Sequence, residues 1–324
     1  MKKSVLAAIG VGIAISVIAG VQFAQPIDTP KTIADESETI QDEASSKLKV
    51  IASFYPLYEF SKNVGGEKAE VTSFVPVGIE PHDWDPSSGD VMRLDKADIF
   101  VYNGAGFEPF VDQLIDSGEY SNVVFVDSTT GVDLIKSEHD EHGEEEHDSE
   151  YDPHVWLDPI LAKHQVAMIK DAMVQTDPQN AQYYETNANT YSTKLDDLDA
   201  KIRSGLSSCK KDTFMPFHDA FTYFADRYDL KIFALSGIAP ESETTAAEIK
   251  EFVDFVKEND ITIIFAEDLI EPRLAEVLAD EAGAQVMILS PLEGLTQKDT
   301  AGGKNYISKT EENLENLRMA LDCQ

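Results

Sequence analysis

Cysteine is almost missing from this chain, with two in 324 residues. A scaffold stapled by disulfides and a cysteine-rich metal domain are both excluded. Basic residues are scarce: 26 Lys and Arg stand against 60 Asp and Glu, a formal net charge of -34. Nucleic acid needs a basic surface against its phosphates, so no nucleic-acid partner is expected. No His-Glu-x-x-His pair occurs and no serine or cysteine nucleophile motif stands out, which removes common hydrolase signatures. No internal repeat is visible. What the chain does have is 42% apolar residues, enough for a sizeable core, and a length suited to two domains.

Lys2 and Lys3 precede an uncharged run from Val5 to Val21, rich in Ala, Gly, Ile and Val. This reads as an export segment over residues 1–24, either cleaved after Ala24 or retained as a membrane anchor. Residues 25–47 are polar and acidic, with Pro26 and Pro30, and read as a linker. The folded part then begins at Leu48 and works outside the cytoplasm. In that oxidising setting Cys209 and Cys323 are a candidate disulfide.

From Leu48 on, short β-branched and aromatic runs alternate with helical patterns. Strands are expected at 49–53, 71–75, 99–102, 123–126, 213–215, 232–235, 261–266 and 286–289. Helices are expected at 56–64, 88–96, 107–117, 161–173, 219–228, 244–258, 271–283 and 305–322, with Thr244 as an N-cap. Alternation of this kind gives α/β units with mostly parallel sheets. Between the halves, Asp177-Pro178 starts a stretch in which Tyr184, Ala188, Tyr191, Leu195, Leu198 and Ile202 recur at helical spacing. It reads as one connecting helix over 178–208, with a lobe on either side at 48–177 and 209–324. Two shorter helices are the alternative, but nothing interrupts the run in its middle.

Ligands of open parallel sheets bind beyond the carboxyl ends of the strands. His82 follows the strand at 71–75, and His218 follows the strand at 213–215. Glu267 and Ser290 follow two other strands, so all four residues are placed to face one crevice. His154 lies where a loop enters a helix. Pro81 and Pro153 precede His82 and His154 and restrict their backbones. Trp84 and Trp156 lie two residues beyond these histidines, placed to wall the site. A lone histidine usually has a bland role, but three at such positions favour a metal site, and imidazole suits zinc. His164, inside a helical run, reads as an ordinary helix residue. Residues 137–150 carry His139, His142 and His147 among eight carboxylates and no base. That composition cannot fold alone and reads as a weak accessory metal-collecting loop.

Three stretches together resemble the zinc/manganese solute-binding proteins of ABC importers, the ZnuA/TroA-like cluster A-I family. They are Gly78 to Asp85 around His82, Pro153-His154-Val155-Trp156-Leu157-Asp158-Pro159, and Phe217-His218-Asp219-Ala220-Phe221. Ser53-Phe54-Tyr55-Pro56-Leu57 adds to the likeness, which covers roughly residues 48–323. The resemblance implies two α/β lobes joined by one long helix, limited hinge motion, and a metal held between the lobes by His82, His154 and His218. It also implies delivery of that metal to a membrane permease. The chain departs from the family at Leu289-Ser290-Pro291-Leu292-Glu293, where Ser290 stands in place of an expected aspartate. The fourth ligand is therefore left open among water, Glu267 and, less favoured, Glu293.

Loss of a carboxylate would favour zinc over manganese, which stays the alternative. The expected activity is capture and delivery by a monomer, not catalysis, with binding weakened below about pH 6 as histidines protonate. A secreted zinc hydrolase using Glu267 as base, and a surface adhesin with a structural metal, are the rivals.

Overall fold

The computed structural model describes residues 47–137, 150–240 and 244–324. The export segment, nearly all of the acidic linker, and His139, His142 and His147 lie outside the described residues. Among the described residues no helix is long and apolar enough to cross a membrane.

The first half runs β1 (Leu48–Ala52), α1 (Tyr55–Gly65), β2 (Ala69–Ser73), α2 (Ser88–Val91), β3 (Ile99–Tyr102), α3 (Val111–Ser117) and β4 (Val124–Asp127). Its strands lie in the order β2-β1-β3-β4, all parallel. β1 and β3 are central and, apart from the exposed Lys49 and the half-buried Tyr102, buried, which is why they are apolar nearly throughout.

α4 (Pro159–Thr176) follows the second histidine loop. Its start is written in the sequence: Asp158 Oδ1 accepts from the Ile160 N–H at 2.7 Å, and Pro159 occupies the first turn. A single 3-10 turn leads into α5 (Ala181–Leu206), an unbroken helix of 26 residues, about 39 Å at 1.5 Å per residue. Every buried residue of α5 belongs to the stripe Tyr184, Ala188, Tyr191, Leu195, Leu198, Ile202 and Leu206. Asp177 does not cap α5. Its carboxylate instead accepts from the Tyr184 hydroxyl at 2.6 Å and the Asn180 amide at 2.7 Å, tying the turn to the helix it precedes.

The second half runs β5 (Thr213–Phe214), α6 (Thr222–Arg227), β6 (Lys231–Ile232), α7 (Ala246–Glu258), β7 (Ile263–Ala266), α8 (Arg273–Ala282), β8 (Gln285–Ile288), α9 (Gln297–Ala301) and α10 (Tyr306–Ala320). β5 pairs with β6 and β7 with β8, both parallel. The Phe265 N–H donates to the Met215 carbonyl at 2.9 Å and joins the two pairs at β5 and β7. The N-cap of α7 is Thr245, not Thr244. From Thr245 the third helical residue is Glu248, whose carboxylate accepts from the Thr245 N–H and completes a capping box.

The largest core cluster spans both halves. Phe54, Phe60 and Trp156 share it with Phe214, Phe265, Leu289, Leu292 and the α5 stripe. Separate clusters around Phe74 and Phe100, and around Phe252 and Ile264, fill the outer layers. This places helices on both faces of two parallel sheets, with α5 running past both. Cys209 and Cys323 form a disulfide across 114 residues of sequence, closing the second half on itself.

Candidate metal centre

Four strand ends or loops deliver four side chains to one point. β2 continues past its last residue, with the Phe74 and Val75 N–H groups donating to Ala52 and Ser53 at 2.7 and 2.8 Å. The chain then turns at Gly78, whose φ of 81° only glycine adopts without strain. Pro81 follows, and the His82 N–H donates to Glu80 Oε1 at 3.1 Å. His154 sits in a loop pinned from two sides: Asn103 donates to the Pro153 carbonyl at 2.8 Å, and Tyr223 to the Asp152 carbonyl at 2.8 Å. His218 extends β5 and bridges in parallel to Ser236. Glu293 comes after β8, immediately beyond Leu292, which holds a left-handed φ of 58°.

The ring nitrogens converge. Glu293 Oε1 lies 3.2 Å from His82 Nε2, 3.3 Å from His154 Nε2 and 3.5 Å from His218 Nε2. The Nε2 atoms of His154 and His218 are 3.3 Å apart, and all four ligand atoms lie within 4.8 Å of one another. A tetrahedral zinc with bonds of about 2.0–2.1 Å has ligand-to-ligand edges of about 3.3–3.4 Å. Four of the six edges, at 3.2–3.5 Å, lie within about 0.2 Å of that length. His154 and His218 are wholly buried and Glu293 is 1% exposed, whereas the His82 side chain keeps 10% exposure and forms the outer rim.

The inner nitrogens of two rings are committed to carboxylates. His154 Nδ1 meets Asp152 Oδ1 at 2.7 Å, and His218 Nδ1 meets Glu267 Oε1 at 2.5 Å. A proton held at Nδ1 leaves the Nε2 lone pair facing the centre, and the carboxylate raises its basicity. Burial opposes charge on His154, but the Asp152 and Glu293 carboxylates outweigh it and hold its pKa above the ordinary value. His218, pulled the same way by Glu267 and Glu293 against the same burial, is held well above. His82 goes the other way, because burial outweighs the Glu293 charge. For Glu293, burial alone would favour the neutral acid, yet the surrounding imidazoles press its pKa well below the usual carboxylate range. Burial and the Glu293 charge push Glu80 up to about 9. Glu293 Oε2 is buried with no hydrogen-bond partner. An orphaned anionic oxygen beside three imidazoles is the donor set of a cation site.

Among the residues singled out in the sequence, His82, His154 and His218 come together. Glu267 stands behind His218 and not at the centre. Ser290 is turned away: its hydroxyl donates to Asp268 at 3.0 Å and accepts from the Leu292 N–H at 3.3 Å. The carboxylate absent at position 290 is supplied three residues later, because the reversal at Leu292 swings Glu293 inward. The site lacks no carboxylate: its donor set is three nitrogens and one oxygen, so the expected preference for zinc does not follow from a lost carboxylate. Trp156 does wall the site, its ring 5.0 Å from that of His154. Trp84 packs on Phe74 and Phe110 and lines a small cavity on the His82 side of the site, with Phe107 the ring that touches His82, at 4.8 Å. His164 stays apart, its Nε2 paired with the Thr130 carbonyl. Asp152 was not singled out, although an acid two residues before His154 across a proline was a readable signal.

Residues 50–320 match the family described as the periplasmic zinc-uptake complex component A, ZnuA. The chain belongs to the ZnuA family. Another member, the high-affinity zinc uptake system protein ZnuA of Bacillus subtilis, is 38% identical over 285 residues, which cover 86% of this chain and 89% of that protein. The zinc-binding lipoprotein AdcA of Streptococcus pneumoniae is 39% identical over 288 residues, covering 87% of this chain. The match takes in 57% of AdcA, so this chain spans little more than half the length of that relative. The crystal structure of the Zn(II)-bound ZnuA-like domain of AdcA superposes with a TM-score of 0.74 at 38% identity, covering 85% of this chain and 99% of that domain. The ZnuA family is one of metal-binding solute-binding proteins of transport, not of enzymes.

Proposed function

We propose that this protein captures zinc outside the cytoplasm and delivers it to the membrane permease of an ABC importer. The observation that carries the reading is the buried cluster His82, His154, His218 and Glu293, with four of its six ligand-atom separations at 3.2–3.5 Å, close to tetrahedral spacing. Zinc would exchange its water shell for these four atoms. Manganese prefers more oxygens and a higher coordination number, so zinc fits better. The protein closes all four positions, which leaves no site for the reactive water that a zinc hydrolase needs. That favours carriage over hydrolysis. Reversible removal of zinc by a chelator without unfolding is expected of a carried ion, and unfolding on chelation would point instead to a structural metal.

The lobes proposed are residues 48–177 and 209–324, hinged about the helix at 178–208 and working as a monomer. The ion bridges loops from both, so binding favours the closed form. The segment 1–24 is proposed to export the chain or to hold it at the membrane. His139, His142 and His147 would add weak sites in the acidic loop. The decisive test is calorimetric titration of chelator-stripped protein with zinc and, in competition, manganese. One tight zinc equivalent that manganese fails to displace is expected. Equal affinity for both ions, or no tight equivalent, would overturn the reading. Deleting residues 138–150 should leave the tight equivalent intact and remove only weaker ones.

A further inference from the structure

Trp156 lies two residues after His154, and its side chain reaches the turn that carries Glu293. The indole N–H donates to the Pro291 carbonyl at 2.8 Å. The indole ring is wholly buried between Phe54, Phe107 and His154, with centroids 4.7, 5.2 and 5.0 Å away. Its own carbonyl accepts from the buried Tyr306 hydroxyl at 2.5 Å. The donor is therefore held rigidly on both sides.

The turn it meets is unusual. Leu292 holds its left-handed φ of 58° between Pro291 and Glu293. A leucine there costs of order 1 kcal/mol or more and persists only where its surroundings enforce it. The enforcement is visible. Asn313 of α10 accepts from the Ser290 N–H at 2.9 Å and donates to the Ser290 carbonyl at 2.6 Å. Ser290 Oγ accepts from the Leu292 N–H. The next carbonyl, that of Pro291, is taken by Trp156. Without that last bond the strained reversal that carries Glu293 is held only by Ser290 and by the burial of the Leu292 side chain.

We propose that the Trp156 N–H is a positioning group for Glu293, setting the His154-to-Glu293 edge of the zinc tetrahedron, now 3.3 Å. The inference rests on the reading of Glu293 as a zinc ligand. One side chain would then link two ligands that are 139 positions apart in the chain. It contributes no atom to the metal and acts wholly through the backbone of Pro291. Removing outer groups that orient a ligand weakens metal binding by about 10- to 100-fold.

The test replaces Trp156 with the isosteric benzothienylalanine, which keeps the fused ring and lacks the N–H, alongside the simpler Trp156→Phe. Zinc affinity is measured by chelator competition, and coordination by the visible spectrum of the cobalt(II) form. Each variant is also made in a Glu293→Ala background. The proposal expects zinc binding about 10- to 100-fold weaker, with a cobalt spectrum displaced toward that of Glu293→Ala. It also expects no further loss when Glu293 is already gone, because both changes then remove the same interaction. Affinity within twofold of the parent for the isostere, or a loss that adds in full to that of Glu293→Ala, would overturn it. If Glu293→Ala alone leaves affinity and spectrum unchanged, the ligand reading itself fails and takes the positioning role with it.

Discussion

His154 and His218 are built by the same device, a buried carboxylate on Nδ1 and a free Nε2 facing the centre. Removing either ring leaves a buried carboxylate without its partner as well as a missing ligand. His154→Ala and His218→Ala should each abolish stoichiometric tight zinc binding in calorimetry. The same geometry sets the pH response. With both pKa values raised in the metal-free protein, protons occupy the site above the ordinary histidine value of about 6.5. Zinc must expel them, so affinity should keep climbing with pH through neutrality, a higher window than the sequence alone implied. Titrations in two buffers of different ionisation enthalpy should show proton release that shrinks as pH rises. The linked effect on stability has a definite sign. Raised histidines stabilise the metal-free fold fully below about pH 6.5, and this contribution fades as pH rises through their folded values. Glu80, held up near 9, acts in the same direction, because its buried neutral form becomes costlier to keep as pH rises. The melting temperature of metal-free protein should fall from pH 6 to 9, and the gain on adding zinc should grow. A gain that shrinks over this range would contradict the assignment.

Among the elements, the strands of the first half were legible because their residues are largely β-branched or aromatic and flanked by turn formers. β3 falls at Ile99–Tyr102 as expected. The second sheet was harder to read: β5 and β6 have two residues each, and α9 carried no apolar period to betray it. Glycine is informative at one strand end. Gly104 follows β3 at φ 85°, and a Cβ there would lie 2.3 Å from Asp127 Oδ1 and 2.8 Å from Thr129 Oγ1. The neighbouring Asn103 holds the His154 loop through Pro153. Gly104→Ala should therefore destabilise the fold by about 1–3 kcal/mol, the usual cost of a residue forced into a rare backbone region. Urea unfolding would register this as a lower midpoint with an unchanged slope. Zinc affinity should also drop, since the His154 loop shifts with Asn103.

At the scale of the molecule, one core cluster runs through both halves and along α5. The Cys209–Cys323 disulfide closes a loop of 114 residues over the second half. In the chain-entropy account such a loop is worth roughly 2–5 kcal/mol. Cys209→Ser with Cys323→Ser should lower the unfolding free energy by about that amount and leave zinc stoichiometry at one, measured by denaturation and by metal analysis.

Periodicity, composition and proline placement are local properties. They alone determined the alternating strands and helices, the stripe of α5, and the placing of His82, His154 and His218 at loops that leave strands or enter helices. They could not determine which carboxylate completes the centre. Ser290 and Glu293 are three residues apart, and only the left-handed Leu292 decides that the second turns inward while the first faces Asp268. Nor could they reveal that Trp156 would meet Pro291. The backbone reversal is enforced by Asn313, which meets Ser290 only once the second half has folded, and by Trp156, which meets Pro291 only after the halves have packed.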